Sequence, residues 1–435
     1  MTIKDSYEFT PDCHKITYKH RTILGNRRTG EWLKLSEECM NILEHGINNR
    51  MSPSKLLDCL HDYDDRIYFQ RIFDQLENIG LIRSTSYDTS VRRTFTHIYF
   101  ALTNKCNLFC NHCCYNAKYA ASSDPITHYM TTDEALQTID KIIAAHPQVI
   151  TFSGGEPMMR DDFFQLLLYT SEHYNGRINI STNGTLISPD NVDLLSKHVD
   201  SFDISIDGID DESCERLRGP GVFERVMTSI ALLQSRGVKQ ISLSMVLMDH
   251  NKHLETPFRD LNLRMGTRAV VRRFTPIGRG KVYQKRGETA KIQLPDLRQI
   301  TNEKAKRYRD TSKFCNCGAG EKMILIDHDG AIYPCGLMIT KELKLAQIQE
   351  LEQIEDMFSS ANNKIGSGQQ ALKDLQPQNF SKCKDCKVNF FCWHCLHHVE
   401  QLKGDEARFT ERCNAQKSLL YRLIWDEVRE ANTHC

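Results

Sequence analysis

The sequence predicts an α/β protein in which a parallel sheet is flanked by a winged-helix-like unit and a cysteine-rich segment. Over residues 93–280, short apolar strands alternate with amphipathic helices, a pattern typical of parallel sheets with right-handed crossovers. Residues 1–90 have a self-contained pattern of strands and helices. The 17 cysteines concentrate near residue 110 and in the last third. We therefore divide the chain into domains at 1–90, 93–280 and 315–435, with a connector at 281–314.

Turn and capping signals define the elements of the first domain. Its predicted strands are Lys15–Lys19, Arg21–Leu24 and Trp32–Leu35. Ser36 caps the first predicted helix, and Ser52, followed by a proline, caps the second. A stripe of apolar residues from Ile67 to Ile79 predicts a third helix that stops at Gly80. Together these elements give a small winged-helix-like unit.

The second domain has six predicted strands. They are His97–Leu102, Val149–Phe152, Ile178–Ser181, Ser201–Ile206, Ile241–Val246 and Ala269–Phe274. Predicted helices between them start near Thr132, Asp161, Pro189, Phe223 and Leu254. A connector helix is predicted at Leu297–Tyr308 and a final helix near Ala415–Val428. Chemistry in such folds takes place at the carboxyl ends of the strands.

The composition gives no support for a nucleic acid or a membrane as partner. Lys plus Arg and Asp plus Glu both total 56 among 435 residues, so the formal net charge is zero. No run of 18 apolar residues is present, and the first residues lack the apolar core of a secretory signal. We therefore expect a cytoplasmic protein whose cysteines bind metal rather than form disulfides.

A C-x3-C-x2-C loop follows the first strand of the parallel sheet. Its cysteines are Cys106, Cys110 and Cys113. Three thiolates on a short loop can hold three irons of a 4Fe–4S cube and leave the fourth iron open. Zinc is the alternative, since Cys114 offers a fourth thiol, but zinc sites usually contain C-x2-C pairs.

Three further strand ends carry polar or glycine-rich turns. Gly154, Gly155 and Glu156 follow the second strand, where glycines allow the backbone to approach a ligand closely. Ser-Thr-Asn-Gly ends the third strand at 181–184, and Ser-Ile-Asp-Gly ends the fourth at 205–208. Because these ends meet at one edge of the sheet, they predict a single site for a polar cofactor.

From Cys106 to Arg279 the chain resembles the radical S-adenosylmethionine (SAM) superfamily. The cysteine loop, Gly-Gly-Glu-Pro, Ser-Thr-Asn-Gly, and Ser-Ile-Asp-Gly followed by Leu-Arg-Gly occur in the order and spacing of that family. The resemblance implies a partial (β/α)6 TIM-like barrel that binds SAM on a 4Fe–4S cluster, with Cys106, Cys110 and Cys113 as ligands.

The resemblance also implies a set of SAM-binding residues. Those facing the methionine end are Gly154, Gly155 and Glu156. Those near the ribose or the methionine carboxylate are Ser181, Asn183, Ser205 and Asp207. Cys114 departs from the aromatic residue usual at that place, so Tyr115 is expected to pack near the adenine instead.

The last domain resembles the SPASM domain, which carries auxiliary clusters. The resemblance assigns Cys383, Cys386, Cys392 and Cys413 to one 4Fe–4S cluster. It assigns Cys317, Cys335 and Cys395 to a second, with Cys315 as a fourth ligand. Two residues separate Cys392 from Cys395 where three are usual. A pair of zinc ribbons is the alternative, because C-x2-C is also a zinc pattern.

Residues 1–90 resemble the precursor recognition element of enzymes that modify ribosomally made peptides. That element binds a leader peptide as an added strand. A DNA-reading winged helix is the alternative, since the segment holds Arg21, Arg27, Arg28 and Lys34. Its third helix carries Asp74 and Glu77, which are poorly suited to phosphate contact.

Together these resemblances imply a radical SAM peptide maturase of the sactipeptide or ranthipeptide type, or a related cyclising maturase. Such an oxidoreductase cleaves SAM to a 5′-deoxyadenosyl radical, takes hydrogen from a precursor peptide and forms a thioether or carbon–carbon crosslink. The implied partners are that peptide and an electron donor such as flavodoxin or ferredoxin. The alternatives are an anaerobic sulfatase maturase and an iron–sulfur transcription regulator. No catalytic side chain is indicated.

Overall fold

The computed structural model describes residues 5–86, 94–119, 129–284, 301–358 and 366–425. These residues form two compact units. The first combines residues from 1–92, 292–318 and 373–435, and the second combines residues from 93–291 and 319–372. The cysteine-rich segment is therefore divided between the two units. Among the described residues, no helix has the length and apolar composition needed to cross a bilayer.

The N-terminal part of the first unit contains five strands and three helices. The strands are β1 (Tyr7–Phe9), β2 (Cys13–Tyr18), β3 (Arg21–Asn26), β4 (Trp32–Ser36) and β5 (Ile82–Ser84). The helices are α1 (Glu37–Asn48), α2 (Pro53–Asp58) and α3 (Tyr63–Asn78). β2, β3 and β4 form an antiparallel sheet in that order, and β1 pairs with β5.

Side-chain caps set the starts of these helices. The Ser36 hydroxyl accepts the backbone N–H of the third residue of α1, and Ser52 does the same for α2. α3 begins at Tyr63, four residues before the predicted start, because Asp62 accepts the N–H groups of its first turn. The apolar faces of the three helices pack on β1, β3 and β5 around Leu24, Leu43 and Leu76.

The second unit is built on one sheet of nine strands. Its strands are β6 (His97–Thr103), β9 (Val149–Gly154), β10 (Arg177–Thr182), β11 (Ser201–Ser205), β12 (Ile241–Leu247), β13 (Arg268–Arg273), β14 (Met323–Ile326), β15 (Ala331–Tyr333) and β16 (Ala346–Gln347). A separate small pair is β7 (Lys105–Cys106) with β8 (Lys118–Tyr119). The strand order is β13-β12-β11-β10-β9-β6-β14-β15-β16.

The six predicted strands form the parallel part of this sheet, as expected of a radical SAM fold. The helices between them are α4 (Thr132–Ala144), α5 (Phe163–His173), α6 (Val192–His198), α7 (Asp211–Arg218), α8 (Val222–Ser235) and α9 (Glu255–Met265), and α10 (Gly280–Gln284) follows the last strand. The structure adds β14, which pairs in parallel with β6, and the antiparallel strands β15 and β16. The α/β fold class predicted from the sequence is confirmed.

The two faces of the parallel strands differ in polarity. Successive side chains of a strand point to opposite faces. One face carries fully buried apolar residues such as Phe100, Phe152 and Phe202. The other carries a polar row, in which Asn179 donates to Thr151 and to Asp203 at 3.1 Å each. One face of the parallel strands is therefore apolar, and the other carries hydrogen-bonded polar groups.

The last third contributes helices to both units. They are α11 (Asn302–Thr311), α12 (Ser367–Asp374), α13 (Asn389–Cys392), α14 (Leu396–Leu402) and α15 (Glu406–Ile424). Residues 297–300 of the predicted connector helix and 426–428 of the predicted final helix lie outside the described residues. α15 begins at Glu406, well before the predicted start, with its N-terminus capped by Asp405.

Within the first unit, the N-terminal sheet and the cysteine-rich segment share one core. Phe314 stacks on Phe390 with 4.3 Å between ring centroids, and Trp32 meets the edge of Phe391 at 5.0 Å. Both pairs lie in a buried cluster that also contains Ile23 from β3. Residues 1–90 are therefore not an isolated domain.

Candidate active site

The cysteine loop lies at the carboxyl end of β6. It leaves the sheet after Thr103, begins in β7 and returns to β8, so that its two ends pair with each other. Cys106 and Cys110 are buried and Cys113 is half-buried. Three thiols are thus presented on one short loop beside the sheet.

Each of these three sulfurs accepts an N–H group. The backbone N–H of Leu108 donates to Cys106 Sγ at 3.4 Å, and that of Ala117 donates to Cys113 Sγ at 3.5 Å. The Arg218 guanidinium donates to Cys110 Sγ at 3.9 Å. N–H donors are the usual surroundings of iron–sulfur cluster ligands, so this set of residues fits a cluster.

No three thiols of the described residues lie as close together as the ligands of a tetrahedral zinc ion. A tetrahedral zinc site with bonds of about 2.3 Å brings its sulfurs to about 3.8 Å from one another. In the described part of the chain, only Asp327, His328 and Asp329 form a group of three such ligand atoms within 4.8 Å. No three cysteines there are that close. Burial raises the pKa of the Cys106 thiol to about 11.

Gly154 and Gly155 lie against the backbone of the cysteine loop. Gly154 has φ of 126°, and a Cβ on either glycine would overlap a carbonyl oxygen, that of Thr103 or of Lys105. The Gly155 N–H donates to Thr103 O and the Glu156 N–H donates to Lys105 O, each at 2.8 Å. The Gly-Gly pair therefore allows β9 to run directly beside the start of the loop.

Glu156 places a fully buried carboxyl group between β9 and β10. It accepts the Thr182 hydroxyl at 2.8 Å and the Asn183 backbone N–H at 2.8 Å. Burial raises the pKa of Glu156 to about 7, although these hydrogen bonds act in the opposite direction. The carboxyl is fixed in place and can offset a positive charge brought by a ligand.

Asn183 connects the third strand end to the cysteine loop. Its side-chain amide donates to Asn107 Oδ1 at 2.8 Å and to Cys106 Sγ at 3.7 Å. Ser181 lies two residues earlier and is half-buried. Ser205 accepts the Ser244 hydroxyl at 3.2 Å from the neighbouring strand. The predicted SAM-binding residues on β10 and β11 thus lie at the same end of the sheet as the loop.

Asp207 is the centre of a buried charged network. It lies in the left-handed backbone region with φ of 58° and is 1% exposed. Its carboxylate meets the Arg218 guanidinium at 2.6 Å and His112 Nε2 at 2.8 Å, and it accepts the Val246 N–H at 2.6 Å. Burial alone would raise the pKa of Asp207, but Arg218 and His112 outweigh it and hold that pKa well below its usual range.

Arg279 fixes the other side of the loop. Its backbone N–H donates to Cys113 O at 3.0 Å, and its guanidinium donates to Cys110 O at 3.0 Å and to Ala117 O at 2.6 Å. Gly278, with φ of 55°, lies so close that a Cβ would be 2.5 Å from the Cys113 carbonyl oxygen. The segment after β13 therefore closes over the loop.

Sequence reasoning missed His112, Arg218 and Arg279 as site residues. The first two lie inside quoted motifs, between two ligand cysteines and in Leu-Arg-Gly, but they were given no role. A histidine inside a ligand loop needs a buried hydrogen-bond partner. That requirement is the signal that could have suggested the pairing of His112 and Arg218 with Asp207. Arg279 offered no comparable signal, because its contacts depend on how the chain folds after β13.

Tyr115 contacts the turn between β14 and β15. Its hydroxyl hydrogen-bonds to the Asp327 carboxylate and lies 3.1 Å from His328 Nδ1. These residues line a cavity of about 440 Å³. Cys114 beside it is exposed. Packing of Tyr115 near an adenine stays a prediction.

Four C-terminal cysteines come together in the first unit. They are Cys383, Cys386, Cys392 and Cys413. Burial and, to a smaller extent, the other three thiols raise the pKa of Cys392 to about 12, although Arg412 acts in the opposite direction. The Trp393 indole N–H donates to Cys383 Sγ at 3.3 Å, and Arg412 donates to Cys392 Sγ at 3.9 Å. This set resembles the first loop in its N–H donors.

Cys315, Cys317 and Cys395 form a second group in the same unit. Burial raises the pKa of Cys315, and the other two thiols add to that effect. Arg27 acts in the opposite direction and donates to the Cys315 carbonyl at 3.2 Å. Cys335, the remaining predicted ligand, belongs to the second unit, where it follows β15 and lies near Tyr99.

Comparisons with known proteins agree with this geometry. Residues 100–256 match the family described as the radical SAM superfamily. The chain is 27% identical to the AdoMet-dependent heme synthase of Methanosarcina barkeri, over 71% of this chain and 93% of that protein. It is 27% identical to the mycofactocin maturase MftC of Mycolicibacterium smegmatis, over 66% of this chain and 74% of that protein.

The fold is similar to that of Streptococcus suis SuiB. The structure of SuiB bound to S-adenosylmethionine superposes with a TM-score of 0.52 at 16% identity, covering 91% of this chain and 96% of SuiB. SuiB has also been solved bound to its precursor peptide SuiA, and that structure superposes with a TM-score of 0.50.

Proposed function

We propose that this radical SAM enzyme is a maturase of a ribosomally made precursor peptide. The proposed product carries a thioether or a carbon–carbon crosslink. The observation that carries the proposal is the N-terminal part of the first unit. It contains a small three-stranded sheet and three helices, in a chain that also holds the radical SAM site. The similarity to mycofactocin maturase supports it.

The proposed chemistry divides between the clusters and the protein. When bound, the first cluster supplies the electron that cleaves SAM to methionine and a 5′-deoxyadenosyl radical, and the auxiliary clusters take up the electron left by bond formation. Cys106, Cys110 and Cys113 hold the first cluster, while Glu156 and Asn183 fix the polar edge against which SAM lies. The protein positions the reactants and excludes water, as cofactor enzymes generally do.

Two auxiliary clusters complete this proposal. Cys383, Cys386, Cys392 and Cys413 are the proposed ligands of one, and their grouping and N–H donors support that assignment. Cys315, Cys317, Cys335 and Cys395 are the proposed ligands of the other. An external electron donor and a cytoplasmic location belong to the same proposal.

The sheet edge at β4 suits an added strand. In the described part of the chain β4 pairs only with β3 and has no strand partner on its other edge, which is where we propose that an extended peptide adds. Tyr68 of α3 lies beside the first turn of α1, the helix that follows β4, since its hydroxyl is 3.9 Å from Cys39 Sγ. Tyr68 is 49% exposed and Tyr63 is 73% exposed. These rings offer apolar contacts to a leader peptide.

A cavity beside the end of β4 supports this reading. It measures about 730 Å³ and opens next to Ser36 at the start of α1. Ile42, Leu56 and Leu60 give it apolar walls, and Glu37 and Glu38 line it as well. An apolar leader side chain next to a basic one fits these walls.

The structure gives little support to the DNA-reading alternative. Arg27 is buried and donates to the Cys315 carbonyl at 3.2 Å and to Gln376 at 2.5 Å. Lys34 donates to the Ile424 carbonyl at 2.9 Å. Arg27 and Lys34, two of the four basic residues that could contact phosphate, are therefore hydrogen-bonded within the first unit.

The test is leader binding by the full-length enzyme. Tyr68→Asp should weaken the binding of a labelled leader peptide and reduce crosslinking of the precursor, while SAM cleavage without peptide persists. Leu263→Asp, at an 81% exposed position on α9, is the matched control. Unchanged leader binding and crosslinking in Tyr68→Asp would reject this leader site. If the wild type binds no precursor, heme-synthase and sulfatase-maturase activities become the candidates.

A further inference from the structure

We propose that the exposed part of the cysteine loop, together with the segment that closes over it, is the docking surface for a small acidic one-electron carrier protein. We call this the loop surface and define it by Phe109, Lys118, Tyr119, Arg279 and Val282. The proposal goes beyond the peptide-maturase function, because it depends only on a cluster that must receive electrons.

Exposed apolar side chains concentrate at this place. Six large hydrophobic side chains are exposed among the described residues, and three of them belong to the loop surface. Phe109 is 57% exposed, Tyr119 is 40% exposed and Val282 is 61% exposed. A contiguous group of exposed apolar residues marks a contact site for another molecule more often than a single one does.

Fixed contacts hold the Phe109 and Tyr119 rings in place. The Arg279 guanidinium lies 4.0 Å from the centre of the Phe109 ring, and the Phe109 and Tyr119 rings meet edge to face at 6.1 Å. Arg279 is itself bound to two carbonyl groups of the loop. The surface is therefore preformed, which lowers the entropic cost of docking.

The position of Phe109 suits electron transfer. It directly precedes the cluster ligand Cys110 in the chain. A carrier that covers the Phe109 ring brings its redox centre next to the loop that holds the cluster. One electron then leaves the reduced carrier, which is oxidised by one electron, and the cluster is reduced by the same electron.

The charge of the loop surface selects an acidic partner. Phe109, Lys118 and Arg279 line one cavity of about 440 Å³. Asp327 is the single acidic residue in the described lining, and its carboxylate is turned to Tyr115 and His328. Lys281 is exposed and next to Val282. Flavodoxin-type carriers are acidic, so opposite charges would steer their encounter with this surface.

The test compares two reductants on the reconstituted full-length enzyme. Val282→Asp and Lys281→Glu, both at exposed positions of α10, should lower 5′-deoxyadenosine formation driven by limiting reduced flavodoxin by about tenfold, the lower end of electrostatic steering effects. The same variants should match the wild type when dithionite, a small chemical reductant, supplies the electrons. Leu263→Asp introduces the same charge at an exposed apolar position on α9 and should match the wild type with both reductants.

Three outcomes would overturn the proposal. The first is a flavodoxin-driven rate in both variants equal to that of the wild type. The second is an equal loss with flavodoxin and dithionite, which would show damage to the cluster site. The third is normal flavodoxin-driven SAM cleavage with loss of precursor modification, which would make the loop surface a peptide site.

Discussion

The two groups of cysteines that the structure describes most fully are held in different ways. The loop of Cys106, Cys110 and Cys113 is fixed by charged side chains from distant elements, Arg218 of α7 and Arg279 after β13. The group of Cys383, Cys386, Cys392 and Cys413 is fixed by neighbours in its own segment. There Arg412 lies 4.4 Å from the Trp393 ring, which stacks on Phe409 at 6.2 Å.

The difference shows what each site depends on. The first loop needs the whole parallel sheet, because its partners come from the ends of β9, β10 and β11. The second lies among α13, α14 and α15, and α13 also packs in the buried cluster that contains Ile23 of β3 and Phe314. A single substitution far along the chain should therefore damage the first site, while the second should respond to changes in residues 380–413 and in that buried cluster.

The largest expected effect concerns the three loop cysteines. Replacing Cys106, Cys110 and Cys113 by Ala should abolish 5′-deoxyadenosine formation, because these are the proposed ligands of the cluster that binds SAM. Cys114→Ala is the control and should retain cleavage. The C-terminal clusters should remain visible by electron paramagnetic resonance. Persistent cleavage in the triple variant would remove the assignment.

A second prediction tests the dependence on distant partners. Arg218→Gln should leave the Asp207 carboxylate buried without its main counter-charge, which costs about 3 kcal/mol of unfolding free energy for a broken buried pair. The amount of iron bound at Cys106, Cys110 and Cys113 should fall together with the free energy of unfolding. Arg216→Gln, on the same helix but exposed, is the control. Denaturant unfolding and iron analysis measure both, and equal stability of the two variants would contradict the account.

A third prediction concerns the iron content. Three four-iron clusters predict about 11 to 12 iron atoms per chain after anaerobic reconstitution. Cys383→Ala should remove up to about four of them, one cluster's share, and leave SAM cleavage without peptide largely intact. Iron near four with bound zinc in the wild type would identify the C-terminal cysteines as a zinc module.

The smallest predicted effect tests the local partners of the second group. Trp393→Phe removes the N–H donor to Cys383 Sγ but keeps an aromatic ring, so all iron should be retained. Loss of one hydrogen bond of about 1 kcal/mol should lower the reduction potential of that cluster, since the bond favours the more negative reduced form. A potentiometric titration that shows no shift would mean that this bond does not tune the cluster.

The sequence predicted the parallel strands and the cysteine loop because their signals are local. Alternation of apolar strands with helices located β6 and β9 to β13 nearly to the residue. The capping serines Ser36 and Ser52 located two helices. The cysteine spacing is itself a property of a few adjacent residues, so the thiols of the loop could be identified without a structure.

What the sequence did not predict depends on contacts between distant residues. β14 pairs with β6 although more than 200 residues separate them, and a four-residue strand gives too weak a pattern to foresee this pairing. Arg27 binds the Cys315 carbonyl across 288 residues. The core shared by Phe314 and Phe390 also means that deletion of residues 1–90 is not a clean test of leader recognition, and point substitutions such as Tyr68→Asp are preferable.

The measurement that tests the central claim most directly is isotope transfer from the precursor peptide. The enzyme is incubated anaerobically with SAM, a reductant and a precursor deuterated in its core residues. The account predicts deuterium in the 5′-deoxyadenosine and a peptide that has lost two hydrogen atoms, both absent with Cys106→Ala. Unlabelled 5′-deoxyadenosine together with an unchanged peptide would contradict it.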